Sequence, residues 1–183
     1  MKKHKKGKVQ VALWVIAALL LSACSSQSQQ IITKANTTDT MKLTSPAFSE
    51  GQPIPAKFTC MSFDVNPQLT VSDHPKGTKS FALLMDDPDA PMETWTHWIV
   101  KDIPADTALI HENSVPGEQL ENSFGKEDYG GPCPPRGKPH RYFFKLYALK
   151  VDKLDAQNAR EFAQEVQKQK LAEATLMGTF QKE

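Results

Sequence analysis

Residues 140–149 read His-Arg-Tyr-Phe-Phe-Lys-Leu-Tyr-Ala-Leu, a nearly continuous aromatic and aliphatic run that follows directly on a Pro/Gly-rich loop. A run of this kind is typical of a strand that is covered on both faces. Two shorter runs, 80–85 and 95–100, have the same character and are also predicted as buried strands. The pattern therefore predicts a mainly β fold in which residues 140–149 lie near the centre of a sheet.

The sequence C-terminal to this strand predicts one helix, which begins near Asp155 because aspartate is a suitable N-cap residue. The predicted buried face of the helix consists of Ala159, Phe162, Ala163 and Val166. Residues 171–180 then predict a helical turn followed by a closing strand. Together with the other strands, these elements fill one domain, residues 41–183, which is long enough to bury a single core.

The first concentration of chemical groups is the run Asp-Asp-Pro-Asp-Ala-Pro at residues 86–91, which directly follows a predicted strand. His97 lies a short loop later on the next strand, so carboxylates and an imidazole meet at one end of the sheet. The two prolines restrict the backbone of this loop, so its carboxylates have less conformational entropy to lose. A turn with solvated aspartates is the alternative for this segment alone.

The second concentration is the segment 129–142, which is rich in proline and glycine and leads into the aromatic strand. Glycines let a backbone approach a ligand closely, and prolines fix the shape of a loop. If His140 faces His97, the two imidazoles donate hydrogen bonds to one anion, while Asp87 or Asp89 orients a ring. A rigid connection that contains a hydrogen-bonded histidine is the alternative here.

Four short motifs lie in these two segments. They are Asp-Pro-Asp-Ala-Pro at 87–91, Trp-Thr-His at 95–97, Gly-Pro-Cys-Pro-Pro-Arg-Gly at 131–137 and His-Arg-Tyr at 140–142. Together they resemble the phosphatidylethanolamine-binding protein family, in particular its bacterial Raf-kinase-inhibitor-like branch. The resemblance extends over residues 41–183 and implies a large antiparallel sheet, a smaller sheet and a C-terminal helix.

The resemblance also implies a small pocket for phosphate-like or other anionic groups, which binds its ligand without turning it over. The residues that it assigns to the pocket are Asp87, Trp95, His97, Gly131, Cys133, Pro134, His140 and Tyr142. Asp89 is a second candidate carboxylate. The chain departs from the family at residues 60–69, where Phe63 and Gln68 alter a segment beside the pocket. We expect no cofactor and no metal ion.

The N-terminal segment combines lysines at positions 2–8, an apolar run of roughly 15 residues, too short to span a bilayer comfortably, and a small-residue triplet that ends in Cys24. This pattern predicts a lipoprotein signal peptide, residues 1–23, that is cleaved before Cys24, whose thiol then carries the lipid. Residues 24–40, rich in Ser, Gln and Thr, predict a flexible tether. An uncleaved membrane anchor is the alternative.

A lipidated Cys24 places the protein outside the cytoplasm, anchored to a lipid bilayer by its acyl chains. The residue directly after Cys24 is Ser25, whereas an aspartate at this position is associated with retention in the inner membrane. We therefore expect the outer membrane in a bacterium with two membranes, and the cell surface otherwise. An exported or host protein is a candidate partner in that compartment.

Charge further limits the candidate partners. The chain has 22 Lys+Arg against 21 Asp+Glu, but five of the lysines lie in the predicted signal peptide, which leaves 17 against 21 and a formal charge of −4. A mildly acidic domain without a clustered basic face does not favour nucleic acid as a partner. A small anion in a local pocket remains compatible with this charge.

Two cysteines, Cys60 and Cys133, remain after the lipidated one. An oxidising compartment permits a disulfide between them, which closes a loop of roughly 70 residues and would stabilise the fold by about 4 kcal/mol in the chain-entropy model. Two buried thiols are the first alternative. A zinc site that combines them with His97 and His140 is the second, although no close ligand spacing supports it.

The leading hypothesis is a non-enzymatic, membrane-anchored protein that binds an anionic headgroup, metabolite or phosphorylated segment and so modulates or inhibits a partner. A hydrolase for phosphate or acyl esters is the first alternative, with Asp87 or Asp89 orienting His97 or His140 as general base. No activated nucleophile accompanies these residues in the sequence. An interaction module for envelope proteins is the second alternative.

Overall fold

The computed structural model describes residues 40–183. The elements of this part are β1 (Lys42–Thr44), a 3-10 turn (Ala56–Phe58), β2 (Leu69–Ser72), β3 (Ser80–Asp87), β4 (Trp95–Pro104), β5 (Leu109–Ile110), β6 (Glu118–Leu120), β7 (His140–Leu149), α1 (Ala159–Gln169) and β8 (Lys170–Phe180). None of its helices is long and apolar enough to cross a membrane. The predicted signal peptide, Cys24 and all of the tether except Thr40 lie outside the described residues.

The strands form two antiparallel sheets. The larger has the order β6-β4-β3-β7-β8, and the smaller has the order β1-β2-β5. A mainly β fold with a large sheet, a small sheet and a C-terminal helix is therefore confirmed. Strand β7 occupies residues 140–149 as predicted and lies inside the large sheet, with β3 at its centre.

The large sheet is covered on both faces. On one face, Leu83 and Phe144 pack in a cluster with Leu43 and Val71 of the small sheet. On the other face, Ala82 and Leu149 pack with residues of the 150–158 loop and with Phe162 and Val166 of α1. Because side chains alternate along a strand, β3 and β7 supply apolar groups to both clusters. Their continuous hydrophobicity follows from this arrangement.

The helix begins later than the sequence predicts. Asn158 is its N-cap and accepts a hydrogen bond from the backbone N–H of Glu161, at 3.0 Å. Asp155 is therefore not the cap, because a side chain three residues closer to the helix satisfies its first free donors. Phe162 and Val166 are buried as predicted, whereas Ala159 and Ala163 are exposed.

The predicted helical turn after residue 171 is absent, and β8 follows α1 directly. Residues 170–180 pair with β7 along its whole length, from Lys170 opposite Leu149 to Phe180 opposite His140. Backbone groups of an interior strand need a partner. Pairing with β7 therefore outweighs the local helical preference of this segment.

Candidate functional site

The end of β3 and the starts of β4 and β7 lie side by side at one edge of the large sheet, which brings the two predicted segments together. Here β4 contains one residue more than the paired segment of β3. Met85 pairs with Trp98 but Asp86 pairs with Thr96, so His97 has no partner residue on β3. A bulge of this kind redirects a side chain and is frequent beside functional sites. The sequence pattern did not indicate it.

A cleft of about 180 Å³ opens at this edge. It is lined by Asp87, Ala90, Pro91, Trp95, His97, Phe124, Cys133, Pro134, Pro135 and His140. Six of the nine predicted pocket residues are in this set. The structure therefore brings Asp87, Trp95, His97, Cys133, Pro134 and His140 together, and places Asp89, Gly131 and Tyr142 outside the lining.

His140 and Asp87 form a buried pair in the cleft wall. The imidazole Nδ1 lies 2.8 Å from Asp87 Oδ2, and both side chains are almost fully buried. The other carboxylate oxygen, Oδ1, accepts the backbone N–H of Asp89 at 2.8 Å. Since a carboxylate only accepts, His140 donates from Nδ1. The carboxylate fixes the ring, and Nε2 is the nitrogen left for a ligand.

His97 is oriented by a backbone carbonyl. Its Nδ1 lies 2.6 Å from Gly130 O, so this nitrogen carries a proton. Only 3% of the residue is exposed, and this burial lowers the pKa of His97, while the Gly130 carbonyl and the Asp87 carboxylate oppose the shift. The ring is therefore neutral at pH 7 and has an unprotonated Nε2.

Tyr142 lies behind the cleft rather than in it. Its ring packs edge-on against His97, with 5.2 Å between centroids. Its hydroxyl has no hydrogen-bond partner in the described part of the chain, although it approaches Asp87. Burial and that carboxylate raise the pKa of Tyr142 far above its usual value. The hydroxyl therefore stays protonated, and the Tyr142 ring packs against His97 on the side away from the cleft.

Gly131 is needed for close packing. Its N–H donates to Asp64 Oδ1 at 2.8 Å. A Cβ at this position would lie 2.3 Å from the same oxygen and 2.4 Å from Phe58 O. Any larger residue would push the loop away from the 58–64 segment, so Gly131 shapes the wall from outside the cleft.

Asp89 anchors the loop that contains it. Its carboxylate accepts two hydrogen bonds from the Arg141 guanidinium, at 2.7 and 2.8 Å, and one from the Arg141 backbone N–H. The Arg141 guanidinium lowers the pKa of Asp89 to about 2. These bonds turn the carboxylate away from the cleft, and Asp87 alone orients an imidazole.

Cys60 and Cys133 form a disulfide, with 5.4 Å between their Cα atoms. The alternatives of two buried thiols and of a zinc site are therefore wrong, because neither sulfur is free to act as a thiolate ligand. Within residues 40–183 no three His, Cys, Asp or Glu side chains are grouped so as to hold a metal ion. Cys133 contributes its half of the disulfide to the cleft wall.

Sequence reasoning missed the aromatic wall opposite the proline loop. Phe124 packs edge-on against Trp95 and His97, with centroid distances of 5.4 and 5.3 Å. It lies in an irregular loop between β6 and β7. The only local signal is the turn composition Asn-Ser-Phe-Gly at 122–125, which does not reveal where the ring packs.

Known proteins similar to this chain include an UPF0098 protein of Chlamydia pneumoniae, 39% identical over 150 residues that cover 78% of this chain and 99% of that protein. An UPF0098 protein of Aquifex aeolicus is 50% identical over 121 residues, which cover 62% and 71% respectively. Their names state no activity.

Two solved structures are similar in fold. A phosphatidylethanolamine-binding protein homologue from Chlamydia trachomatis has a TM-score of 0.74 and 36% identity, over 79% of this chain and 99% of that one. E. coli YbcL, described as a new member of the mammalian family, has a TM-score of 0.74 and 31% identity, over 78% and 99%. The family profile for phosphatidylethanolamine-binding proteins matches residues 44–181. The chain therefore belongs to the phosphatidylethanolamine-binding protein family and has the fold of its binding proteins.

Proposed function

We propose that this protein is a non-enzymatic, membrane-anchored binding protein whose cleft takes a phosphate-like or other small anionic group. The observation that supports the proposal is the arrangement of His97 and His140. Both rings line one small cleft. The Nδ1 of His97 is hydrogen-bonded to Gly130 O, and the Nδ1 of His140 is hydrogen-bonded to the Asp87 carboxylate. Each ring therefore has a single nitrogen, Nε2, for a ligand.

The protonation states of the two imidazoles determine how they can bind an anion. Asp87 lies in the lining with its negative charge, so an anion is attracted only when at least one imidazole is charged. An imidazolium donates from both nitrogens, to its protein partner and to the anion. A neutral imidazole accepts a hydrogen bond from a P–O–H group. The pair thus suits a phosphate that keeps a P–O–H group, and we expect lower pH, which charges the His97 ring, to strengthen binding.

The membrane anchor in this proposal rests on the predicted cleavage and lipidation site at Cys24. The protein would act outside the cytoplasm, in the outer membrane of a two-membrane bacterium or at the surface of another cell. The anionic ligand would be a free phosphate compound, a lipid headgroup or a phosphorylated segment of an exported or host protein. Occupation of the cleft would then modulate that partner.

Titration calorimetry of residues 41–183 tests the binding claim. This fragment contains all of residues 44–181, which match the family profile. Phosphate and glycerophosphoethanolamine are titrated between pH 5.5 and 8 into the fragment and into His97→Asn and His140→Asn. Asparagine keeps a donor near the Nδ1 position and removes Nε2. His111→Asn makes the same change at an exposed site and is the control.

We expect binding that weakens as pH rises, a loss in both cleft variants and no change in His111→Asn. Binding of glycerophosphoethanolamine but not of phosphate would assign the cleft to a headgroup. Absence of binding at every pH, with folded variants, would overturn the proposal and favour an envelope interaction module.

A hydrolase is the second candidate, because Asp87 orients His140 as an acid–base catalyst requires. The cleft lining given above contains no hydroxyl or amine nucleophile, and the sulfur of Cys133 is oxidised. Hydrolysis would therefore use water activated by His140. Release of p-nitrophenol from its phosphate or acetate ester, abolished in His140→Asn but kept in His111→Asn, would favour this function.

A further inference from the structure

Residues 122–130, the cleft-wall loop, are attached to β4 at two neighbouring residues, Thr96 and His97. Ser123 donates its backbone N–H to Thr96 O, and its Oγ accepts the Thr96 N–H, both at 3.0 Å. The backbone carbonyl of His97 accepts hydrogen bonds from Asn122 Nδ2, at 3.2 Å, and from the Gly130 N–H, at 3.1 Å. The imidazole of His97 returns a hydrogen bond to Gly130 O. Both ends of the loop thus meet at the bulged residue of β4.

Asn122 uses its whole side chain in this arrangement. It is 5% exposed. Besides His97 O, its Nδ2 donates to Asp128 O at 2.9 Å. Its Oδ1 accepts from the backbone N–H of Phe124 at 2.9 Å and of Lys126 at 3.3 Å. One buried amide therefore links the strand to three points of the loop, and no polar atom of it is left for a ligand.

The aromatic wall depends on the same loop. Phe124 follows Asn122 by two residues and lies over Gly130, where a Cβ would come within 2.6 Å of the ring. From there the ring packs against His97 and Trp95. Placement of Phe124 and of the Gly130 carbonyl therefore depends on the hydrogen bonds of Asn122, together with those of Ser123 to Thr96.

We propose that Asn122 is a positioning residue of the cleft, which holds the orientation and tautomer of His97 and the aromatic wall without touching a ligand. Asn122 is absent from the cleft lining. Its effect passes through the Gly130 carbonyl and the Phe124 ring. The inference rests on the proposed anion binding only for its effect on affinity, since the state of the His97 ring is observable without any ligand.

The sharpest variant is Asn122→Asp. It keeps the acceptor for Phe124 and Lys126, removes both donors and sets a charged oxygen against the carbonyls of His97 and Asp128. Asn66→Asp is the matched control. Asn66 is also buried, donates to Pro67 O and His111 O and accepts from the Ser114 N–H, so the same chemical change occurs at a side chain that makes no hydrogen bond to the cleft-wall loop.

The readout is the ¹⁵N resonances of the His97 imidazole across pH, together with phosphate titration. In Asn122→Asp we expect loss of the single Nδ1–H tautomer and a pKa closer to the ordinary value, since a released loop exposes the ring. The carboxylates of Asp87 and Asp64, which also act on this ring, are unchanged. Phosphate affinity should fall roughly tenfold, as for supporting residues of other sites, with little change in Asn66→Asp.

If Asn122→Asp does not fold, Asn122→Ser replaces it, because a hydroxyl still accepts from the Phe124 N–H but does not reach β4. A wild-type tautomer and pKa of His97 in a folded Asn122 variant would overturn the inference. Equal changes in Asn66→Asp would also overturn it, by showing a general loss of structure. If phosphate fails to bind the unaltered protein, the proposed function fails, while the tautomer result still decides the role of Asn122.

Discussion

The middle of the large sheet and its cleft end use the same strands in different ways. In the middle, Leu83 pairs with Leu146 and Met85 with Phe144, and these side chains are fully buried among apolar neighbours. At the end, Asp87, His97 and His140 are nearly as buried, yet each has a specific hydrogen-bond partner. Apolar packing stabilises the middle of the sheet, and individual hydrogen bonds stabilise its cleft end.

This difference determines what each region tolerates. Apolar packing is non-directional, so a core accepts exchanges of similar volume with small losses. A buried polar group has no such freedom, because removal of its partner leaves a desolvated donor or acceptor. Changes in the middle should therefore affect stability alone, whereas changes at the cleft end should affect stability and ligand binding together.

The largest expected effect is at the middle. Phe144→Ala should lower the free energy of unfolding by about 3–5 kcal/mol, because it removes a fully buried ring and leaves a cavity. Phe143→Ala, at the half-buried neighbouring position, is the control and should cost clearly less. Urea denaturation measures both. Equal losses would mean that burial does not determine the cost of removing an aromatic ring from β7.

The next effect is at the disulfide, which joins the 60–64 segment to the cleft wall. Replacing both Cys60 and Cys133 by serine should lower the free energy of unfolding by about 2–4 kcal/mol, since the unfolded chain regains the entropy of a long loop. Reduced wild-type protein should match the double variant. A loss below about 1 kcal/mol, less than is typical for a disulfide of this kind, would show that other contacts fix this wall.

A smaller stability effect, with a larger effect on binding, is expected for Asp87→Ala. It leaves the His140 Nδ1–H and the Asp89 N–H without an acceptor and should cost about 1–3 kcal/mol. Phosphate affinity should fall with it, because His140 loses its orientation. Asp152→Ala removes a solvent-exposed carboxylate that pairs with Lys79 and is the control, with an expected cost near zero. Unchanged phosphate affinity in folded Asp87→Ala would show that the Asp87 carboxylate is not needed for binding.

The same contrast explains how much the sequence predicted. Strand β7 was predicted at its observed bounds because its nearly continuous apolar run indicates packing on both faces, which dominates there. Strands β3 and β4 run on to Asp87 and Pro104, beyond the predicted 80–85 and 95–100. Their polar residues interrupt the apolar pattern while their backbones continue to pair. The apolar pattern in the sequence thus ends before the strands do, where hydrogen bonds rather than apolar packing stabilise them.

The candidate site shows this limit most clearly. The resemblance to a family led to six residues of the cleft lining, including Asp87, His97 and His140. The residue pattern alone did not separate Asp89, which anchors a loop to Arg141, from Asp87, since both aspartates occupy the same motif. Phe124 and Asn122 were missed, because their roles depend on contacts between an irregular loop and the bulge in β4.

The smallest expected effect is a pH dependence of stability that originates at His97. Its pKa is lowered on folding from the ordinary 6.5, because burial disfavours the charged ring. The unfolded chain therefore binds more protons near and below pH 6.5, so this contribution is present above that pH and is lost as pH falls through the folded pKa. Urea denaturation at pH 7.5 and 5.5 should show a smaller loss in His97→Asn than in wild type. The same loss in both proteins would contradict this origin.

The central claim is that His97 and His140 together hold an anion at the polar end of the sheet. It is tested most directly by the ¹⁵N resonances of the imidazoles at pH 6 during addition of phosphate. We predict that the Nε2 signals of His97 and His140 shift together with one saturable midpoint, while those of the exposed His74 and His111 do not move. Shifts at all four rings, or at neither cleft histidine, would contradict the account.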